Sequence, residues 1–322
     1  MMENMQDLRH RSEKLEIVIV IACPGQGSQT PGFLNPWLEL PGARDFLGEA
    51  SEHAGADLIA HGTVSDAETI RDTAIAQPLI VAASLLAWRE LSARVDLAAA
   101  GIAGHSVGEF AAASAAGILG AGDALRLVGV RGRAMAEAAA RAETGMAAVV
   151  GGVEDDVLAQ IAAHGLTPAN RNGGGQIVAA GERSALAALA EDAPRGARVI
   201  PLQVAGAFHT EAMSSAIPAL REAAAAVAVA DPAHTIWSNA DGSVVTEGKR
   251  FLELLVSQVA NPVRWDACMA GFAEHGIGAF IELAPAGALT GIAKRALKGV
   301  PSAPISSPSD LDAAVALISE AA

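Results

Sequence analysis

The 322-residue chain carries 36 acidic and 22 basic side chains, for a formal net charge of −14, with 51% hydrophobic and 18% charged residues. This balance excludes a disordered chain and gives length for one large domain or two modest ones. It also argues against nucleic acid or an anionic membrane surface as a partner.

Residues 1–15 are polar and mixed in charge, and read as a disordered lead-in consistent with an upstream start codon. The apolar run Ile17–Ala22 is too short for a signal core or a membrane span and reads as a first strand. Pro24-Gly25-Gln26-Gly27-Ser28-Gln29 follows it. The segment lacks the third glycine of a dinucleotide fingerprint and the Lys-Ser/Thr ending of a P-loop. Two readings stay open: a simple tight turn, or a strand-end loop that aims backbone N–H groups into a cleft. Two cysteines, Cys23 and Cys268, offer neither metal-ligand spacing nor a disulfide framework, which fits a reducing cytoplasm.

A helix is expected over Gln77–Leu91 and a strand over Ala98–Ala103. Gly104-His105-Ser106-Val107-Gly108-Glu109 then reads as a nucleophile elbow, with a helix over Glu109–Ala116. In such a turn the serine hydroxyl is lifted clear of the backbone, and a Cβ at either flanking glycine would clash. His105 adjoins Ser106, but a neighbour on a sharp turn points elsewhere.

Helix Asp123–Arg141 places Ala124, Leu127, Val128, Ala134, Met135 and Ala138 on one face, with Arg131 at its centre. Arg126, Arg133 and Glu137 face the other way. A guanidinium on a buried stripe needs an anion, either an internal salt bridge or a substrate carboxylate, unless it snorkels.

The middle of the chain changes rhythm. Strand Met146–Val150, helix Asp155–His164, strands Leu166–Asn170 and Gln176–Ala180, helix Ser184–Glu191 and strand Arg198–Leu202 follow the ferredoxin-like β-α-β-β-α-β order. The expected organisation is therefore α/β: an α/β-hydrolase-like large subdomain with a parallel sheet over 16–143 and 205–322, interrupted by a ferredoxin-like small subdomain over 144–204. Helix Glu211–Val227, strand Thr235–Ser238, helices Lys249–Ala260 and Asp266–His275, strand Ala279–Leu283 and helices Leu289–Leu297 and Asp310–Ala321 complete the pattern.

A serine nucleophile needs a base, and His209 ends a loop just before a helix, whose positive end disfavours imidazolium. A structural hydrogen-bonding role is the alternative. Gln258 shares a helical face with Phe251, Leu254 and Leu255, either satisfying a loop or supporting the histidine.

Together, Pro24–Gln29, Gln77-Pro78, Gly104–Glu109, Arg131-Gly132-Arg133, Gly206-Ala207-Phe208-His209 and Gln258 ahead of Asn261-Pro262-Val263 resemble the malonyl-CoA:acyl-carrier-protein transacylase family. The resemblance implies Ser106 as nucleophile, His209 as general base and Arg131 as the ligand of the malonyl carboxylate. It implies Gln26 and Val107 N–H groups as oxyanion hole, the Gln258 main-chain carbonyl as the group orienting His209, and Gln77 and Phe208 in the substrate site. Phe208 would exclude an α-methyl group by crowding. The implied enzyme works as a Ser–His dyad without metal or cofactor, the CoA thioester being substrate. Acyl carrier protein would be the acceptor in trans, in fatty-acid or polyketide synthesis, and the enzyme is expected to be a cytoplasmic monomer. Lys294, Arg295 and Lys298, or Arg195 and Arg198, are basic candidates for meeting an acidic carrier. A serine thioesterase or esterase would share the elbow and His209, but would have no use for Arg131 on an apolar face. A non-catalytic binding protein on the same fold is the third reading.

Overall fold

The computed structural model describes Ile19–Ala321, so the expected lead-in, and the first two residues of the strand expected from Ile17, lie outside the described residues. The chain opens with β1 (Ile19–Cys23), α1 (Ala43–Ala54), α2 (Leu58–Thr63), α3 (Thr73–Ser92), β2 (Gly101–Gly104), α4 (Gly108–Ala115) and α5 (Ala121–Ala139). There follow β3 (Thr144–Gly151), α6 (Glu154–Ala163), β4 (Thr167–Gly173), β5 (Gln176–Glu182), α7 (Arg183–Glu191) and β6 (Ala197–Pro201). The remainder is α8 (Ile217–Ala224), β7 (Ile236–Trp237), α9 (Gly248–Ser257), β8 (Val263–Arg264), α10 (Trp265–Glu274), β9 (Ala279–Glu282), α11 (Ala288–Ala296), β10 (Ser302–Pro304) and α12 (Leu311–Ala321).

The architecture is α/β. One sheet has the order β10-β9-β1-β2-β7, with every pairing parallel. All five residues of β1 are buried, as expected of a central parallel strand covered on both faces. Cys23 pairs with Gly104, so β1 and β2 end level and the loops that leave them start side by side. The longest helix, α3, is apolar all round because it crosses the core, packing on α5 and α4 with most of its residues buried. Its length and apolarity would suit a membrane span, yet those faces are occupied by the protein itself.

The second sheet has the order β6-β3-β5-β4-β8. Its first four strands pair antiparallel, while β8 joins β4 in parallel from much later in the chain. Beneath it α6 and α7 bury a separate apolar cluster that includes Val149, Val157, Ile161, Ala179 and Leu189.

Several expected boundaries shift, for local reasons. The helix expected from Gln77 begins four residues earlier, capped by Asp72, whose side chain accepts the Ala74 N–H; Pro78 sits inside it. Ala98–Ala100 form a turn on Asp96 and Leu97 rather than strand, and β2 starts at Gly101. The helix expected over Glu211–Val227 is broken into a 3-10 run, Glu211–Ala216, and the short α8. Pro218 explains the break, since it has no N–H to extend a preceding helix and is tolerated in a first turn. The helix expected over Lys249–Ala260 ends at Ser257, and Gln258–Ala260 tighten into a 3-10 turn. Helices α1 and α2 and the short strands β8 and β10 were not expected, although Asp57 caps α2 through the Ala60 N–H and Gly55 ends α1 in the left-handed region; the strands have only two and three residues.

Candidate active site

The elbow forms where the sequence places it. Ser106, between β2 and α4, has φ +53°, in a region L-residues avoid at a cost of about 1–2 kcal/mol. The flanking glycines are steric necessities: a methyl at Gly108 would overlap the Cys23 carbonyl, and one at Gly104 would overlap the backbone of Gly108 and Glu109. The end of β1 holds the turn down, its Cys23 carbonyl accepting the His105 N–H at 2.9 Å. The Ser106 N–H donates to Asn239 Oδ1 at 2.7 Å. Among the described residues the N–H groups of Val107 and Gln26 have no acceptor, and both residues line the same cavity.

His209 meets Ser106 across that cavity, with Nε2 2.6 Å from Oγ. Its Nδ1 lies 2.9 Å from the main-chain carbonyl of Gln258, so Nδ1–H donates there and Nε2 is left to accept the serine proton. Like Ser106, His209 has positive φ, +61°, and these are the two such non-glycine residues among those described. The ring is buried, and its pKa is lowered to about 3, by desolvation first and by the Arg131 charge second. Neutrality was expected, but not for this reason. The element that follows is a six-residue 3-10 helix, and burial rather than a helix end keeps the imidazole uncharged.

Arg131 is 1% exposed on the inner face of α5, where periodicity put it. No internal salt bridge meets it among the described residues. Its Nη1 donates to Gln77 Oε1 at 2.7 Å and its Nη2 to Gln258 Oε1 at 2.9 Å, while Nε has no partner. Two neutral amides thus hold a full positive charge at the wall of a cavity of about 260 Å³. Desolvation pulls the guanidinium down to about 10, which leaves it charged at neutral pH. Glu109, behind Gln258, offsets part of this through space, but burial of a cation with no directly paired anion is costly, and an incoming carboxylate lowers that cost.

Gln258 is the hub. Its Oε1 faces Arg131, its main-chain oxygen faces His209, and its Nε2 donates to the Ser106 carbonyl at 3.1 Å and to Glu109 Oε2. Glu109 in turn accepts the Asn239 N–H at 2.6 Å, and Asn239 Nδ2 donates to the Gly104 carbonyl at 2.7 Å. Burial raises the Glu109 carboxyl, but the Asn239 N–H, the Gln258 amide and the Arg131 charge oppose it, and with an N–H donor on each oxygen the geometry accommodates the ionised form.

Glu109 closes the elbow motif, and local pattern assigns it no role. The signal that identified Arg131 also applied to it, for it is the one charged side chain on the buried helix α4. Asn239, just past a two-residue strand, gave no such signal. His105 does point away from Ser106. It nevertheless borders the cavity, its Nε2 2.8 Å from Asn172 Oδ1 and its ring edge-on to Trp265. Phe208 is buried on the cavity wall beside His209, with Met135, Leu289 and Ile292.

The acyl transferase domain family matches residues 20–311. A curated relative, the malonyl CoA-acyl carrier protein transacylase of Mycobacterium tuberculosis, is 53% identical over 297 residues, covering 92% of this chain and 98% of its own. The chain belongs to the malonyl-CoA–acyl carrier protein transacylase family. The crystal structure of the Mycobacterium tuberculosis member (MCAT) superposes with a TM-score of 0.89 at 52% identity, covering 92% of this chain and 99% of that one. A malonyl-transacylase solved in complex with a holo type II PKS acyl-carrier protein superposes at 0.86 with 30% identity, covering 92% and 99%. The motifs behind the transacylase resemblance converge in space. Gln26, Gln77, Ser106, Val107, Arg131, Phe208 and His209 all line one cavity, and Gln258 ties its polar wall together.

Proposed function

We propose that this chain moves a malonyl group from malonyl-CoA to the phosphopantetheine thiol of an acyl carrier protein through a malonyl-serine intermediate. The observation that carries this reading is the convergence of the Ser106–His209 pair, 2.6 Å apart, with the buried Arg131, which no carboxylate among the described residues meets directly, on one cavity. A hydrolase needs the first pair only.

In the first half-reaction His209 Nε2 takes the Ser106 proton as Oγ attacks the thioester carbon. The tetrahedral oxyanion accepts hydrogen bonds from the Gln26 and Val107 N–H groups, whose freedom from other acceptors supports that role. Collapse breaks the C–S bond, and His209 returns its proton to the departing CoA thiolate. In the second half-reaction His209 deprotonates the carrier thiol, the thiolate attacks the serine ester, and Ser106 leaves with the proton restored. The Gln258 carbonyl keeps Nδ1 protonated throughout, so no carboxylate is needed as a third member. Arg131, steadied by Gln77 and Gln258, pairs with the malonyl carboxylate, and Phe208 crowds the position an α-methyl group would take. Drawn this way, the reaction calls for no metal or cofactor.

We read the parallel sheet and its helices as an α/β-hydrolase-like large subdomain over 16–143 and 205–322, with the elbow at a strand end. The segment 144–204 is read as a ferredoxin-like insert, supported by the sheet order β6-β3-β5-β4 and a core of its own. A second cavity, of about 670 Å³, shares Met146, Leu202 and Val204 with the first and carries Arg71 and Arg183, offering length for a pantetheine arm. The carrier's acidic surface would meet Lys294, Arg295 and Lys298, exposed at the end of α11, whose buried side chains Leu289 and Ile292 line the catalytic cavity. Arg195 and Arg198 on the insert are exposed as well. We expect a cytoplasmic monomer. Intact-protein mass spectrometry after mixing with malonyl-CoA tests the proposal: one malonyl adduct on Ser106, stable in water and discharged by holo carrier protein, is the expected result. Rapid loss to water without acceptor would identify a hydrolase instead.

A further inference from the structure

Glu109 lies one layer behind Ser106, His209 and Arg131 and hydrogen-bonds to none of them, yet it holds the two side chains, Asn239 and Gln258, that anchor Ser106 and Arg131. Both its oxygens accept: Oε1 from the Asn239 N–H at 2.6 Å and Oε2 from Gln258 Nε2. This is the pattern of an ionised carboxylate, an acceptor with no donor to offer. A primary amide has two unlike ends. With Nε2 of Gln258 committed to Glu109 and to the Ser106 carbonyl, Oε1 must face the other way, where Arg131 Nη2 meets it at 2.9 Å. Were the amide reversed, its N–H groups would face a guanidinium that can only donate, and Arg131 would lose one of its two anchors.

We infer that Glu109 is a positioning residue for acyl-group selection, whose acceptor-only carboxylate fixes the Gln258 amide so that Arg131 is aimed at the substrate carboxylate. This rests on the malonyl-transfer reading and extends it. The effect falls on carboxylate-bearing acyl groups, because an acetyl group makes no use of the guanidinium. Ser106 is also braced from this carboxylate, since Asn239 Oδ1 accepts its N–H and Glu109 Oε1 holds Asn239, so a general loss of acylation falls on both thioesters and the malonyl-to-acetyl ratio isolates the effect on Arg131.

The test compares Glu109→Gln with Glu109→Asp by the rate of Ser106 acylation from malonyl-CoA and from acetyl-CoA, alongside thermal melting. Glu109→Gln keeps the shape and an oxygen for the Asn239 N–H, but sets an amide donor against Gln258 Nε2 and favours the reversed amide. It is expected to lower kcat/KM for malonyl-CoA by roughly tenfold relative to acetyl-CoA, the order expected for a charge-assisted hydrogen bond. Glu109→Asp is shorter but still acceptor-only, so it is expected to keep the wild-type malonyl-to-acetyl ratio even where both rates fall. A purely space-filling role predicts the reverse order, with the isosteric Gln variant nearer to wild type. An unchanged ratio in Glu109→Gln, or a ratio lost equally in Glu109→Asp, overturns the assignment. A malonyl-to-acetyl ratio lost in Glu109→Asp overturns it also where Glu109→Gln does not fold. Wild-type protein that malonyl-CoA leaves unlabelled would sink the transfer reading itself, a result distinct from these.

Discussion

Ser106 Oγ and His209 Nε2 stand 2.6 Å apart although 103 positions separate them in the chain, and each occupies a backbone conformation that side-chain-bearing residues avoid. The strain at both ends of one hydrogen bond is held by neighbours: Cys23 and Asn239 grip the elbow, and the Gln258 carbonyl grips the ring. Ser106→Ala removes the proposed nucleophile without removing that scaffold. It should melt within a few degrees of wild type and take up no malonyl group by intact mass.

Arg131→Ala deletes the charge while leaving the Ser–His pair intact. Losing a charge-assisted contact of about 1.5–3 kcal/mol should lower malonyl-CoA kcat/KM roughly 10- to 150-fold, with acetyl-CoA acylation much less affected. Parallel acylation kinetics with the two thioesters check it. Unchanged selectivity would remove the carboxylate-binding role.

The acidity of His209 sets the pH profile. Its folded-state pKa of about 3 lies below the ordinary 6.5, so the base stays neutral through mild acid. The acid limb of malonyl-CoA kcat/KM should therefore fall well below pH 6.5. The unfolded chain binds this proton more readily than the folded one, so stability rises with pH in that range. The His209 contribution is complete above about pH 6.5 and declines as pH falls toward 3, which denaturant melts across that window would follow.

Gly108→Ala places a methyl group onto the Cys23 carbonyl at a point where neither backbone segment can yield. The expected cost is about 3 kcal/mol or more, read as a lowered denaturation midpoint, with loss of Ser106 acylation. A stable, active variant would show that the turn is looser than its geometry.

Phe208→Ser opens the wall beside His209. Relief of crowding should raise methylmalonyl-CoA use relative to malonyl-CoA by about tenfold, the scale of one methyl group in a pocket, as measured by competition between the two thioesters.

Ser106 and Arg131 were legible because each breaks a local rule. Ser106 lies between two glycines that only a strained turn requires, and Arg131 interrupts an apolar helical stripe; both readings depend on neighbours within a few positions. The alternation of strands and helices followed from the same short-range periodicity. What local pattern did not disclose is the polar relay behind them. The helix period assigned Gln258 to an apolar face, whereas it caps a helix end and serves partners drawn from α4, α5, the elbow and the loop at His209. Asn239 braces the elbow from beyond β7, and the neutrality of His209 comes from burial that no flanking sequence encodes. Periodicity and steric exclusion act between near neighbours, so the chain by itself determined most of the elements and where Ser106 and Arg131 stand along it. Hydrogen-bond partnership and desolvation depend on what the folded chain brings together across more than a hundred positions, and only the tertiary structure decided those.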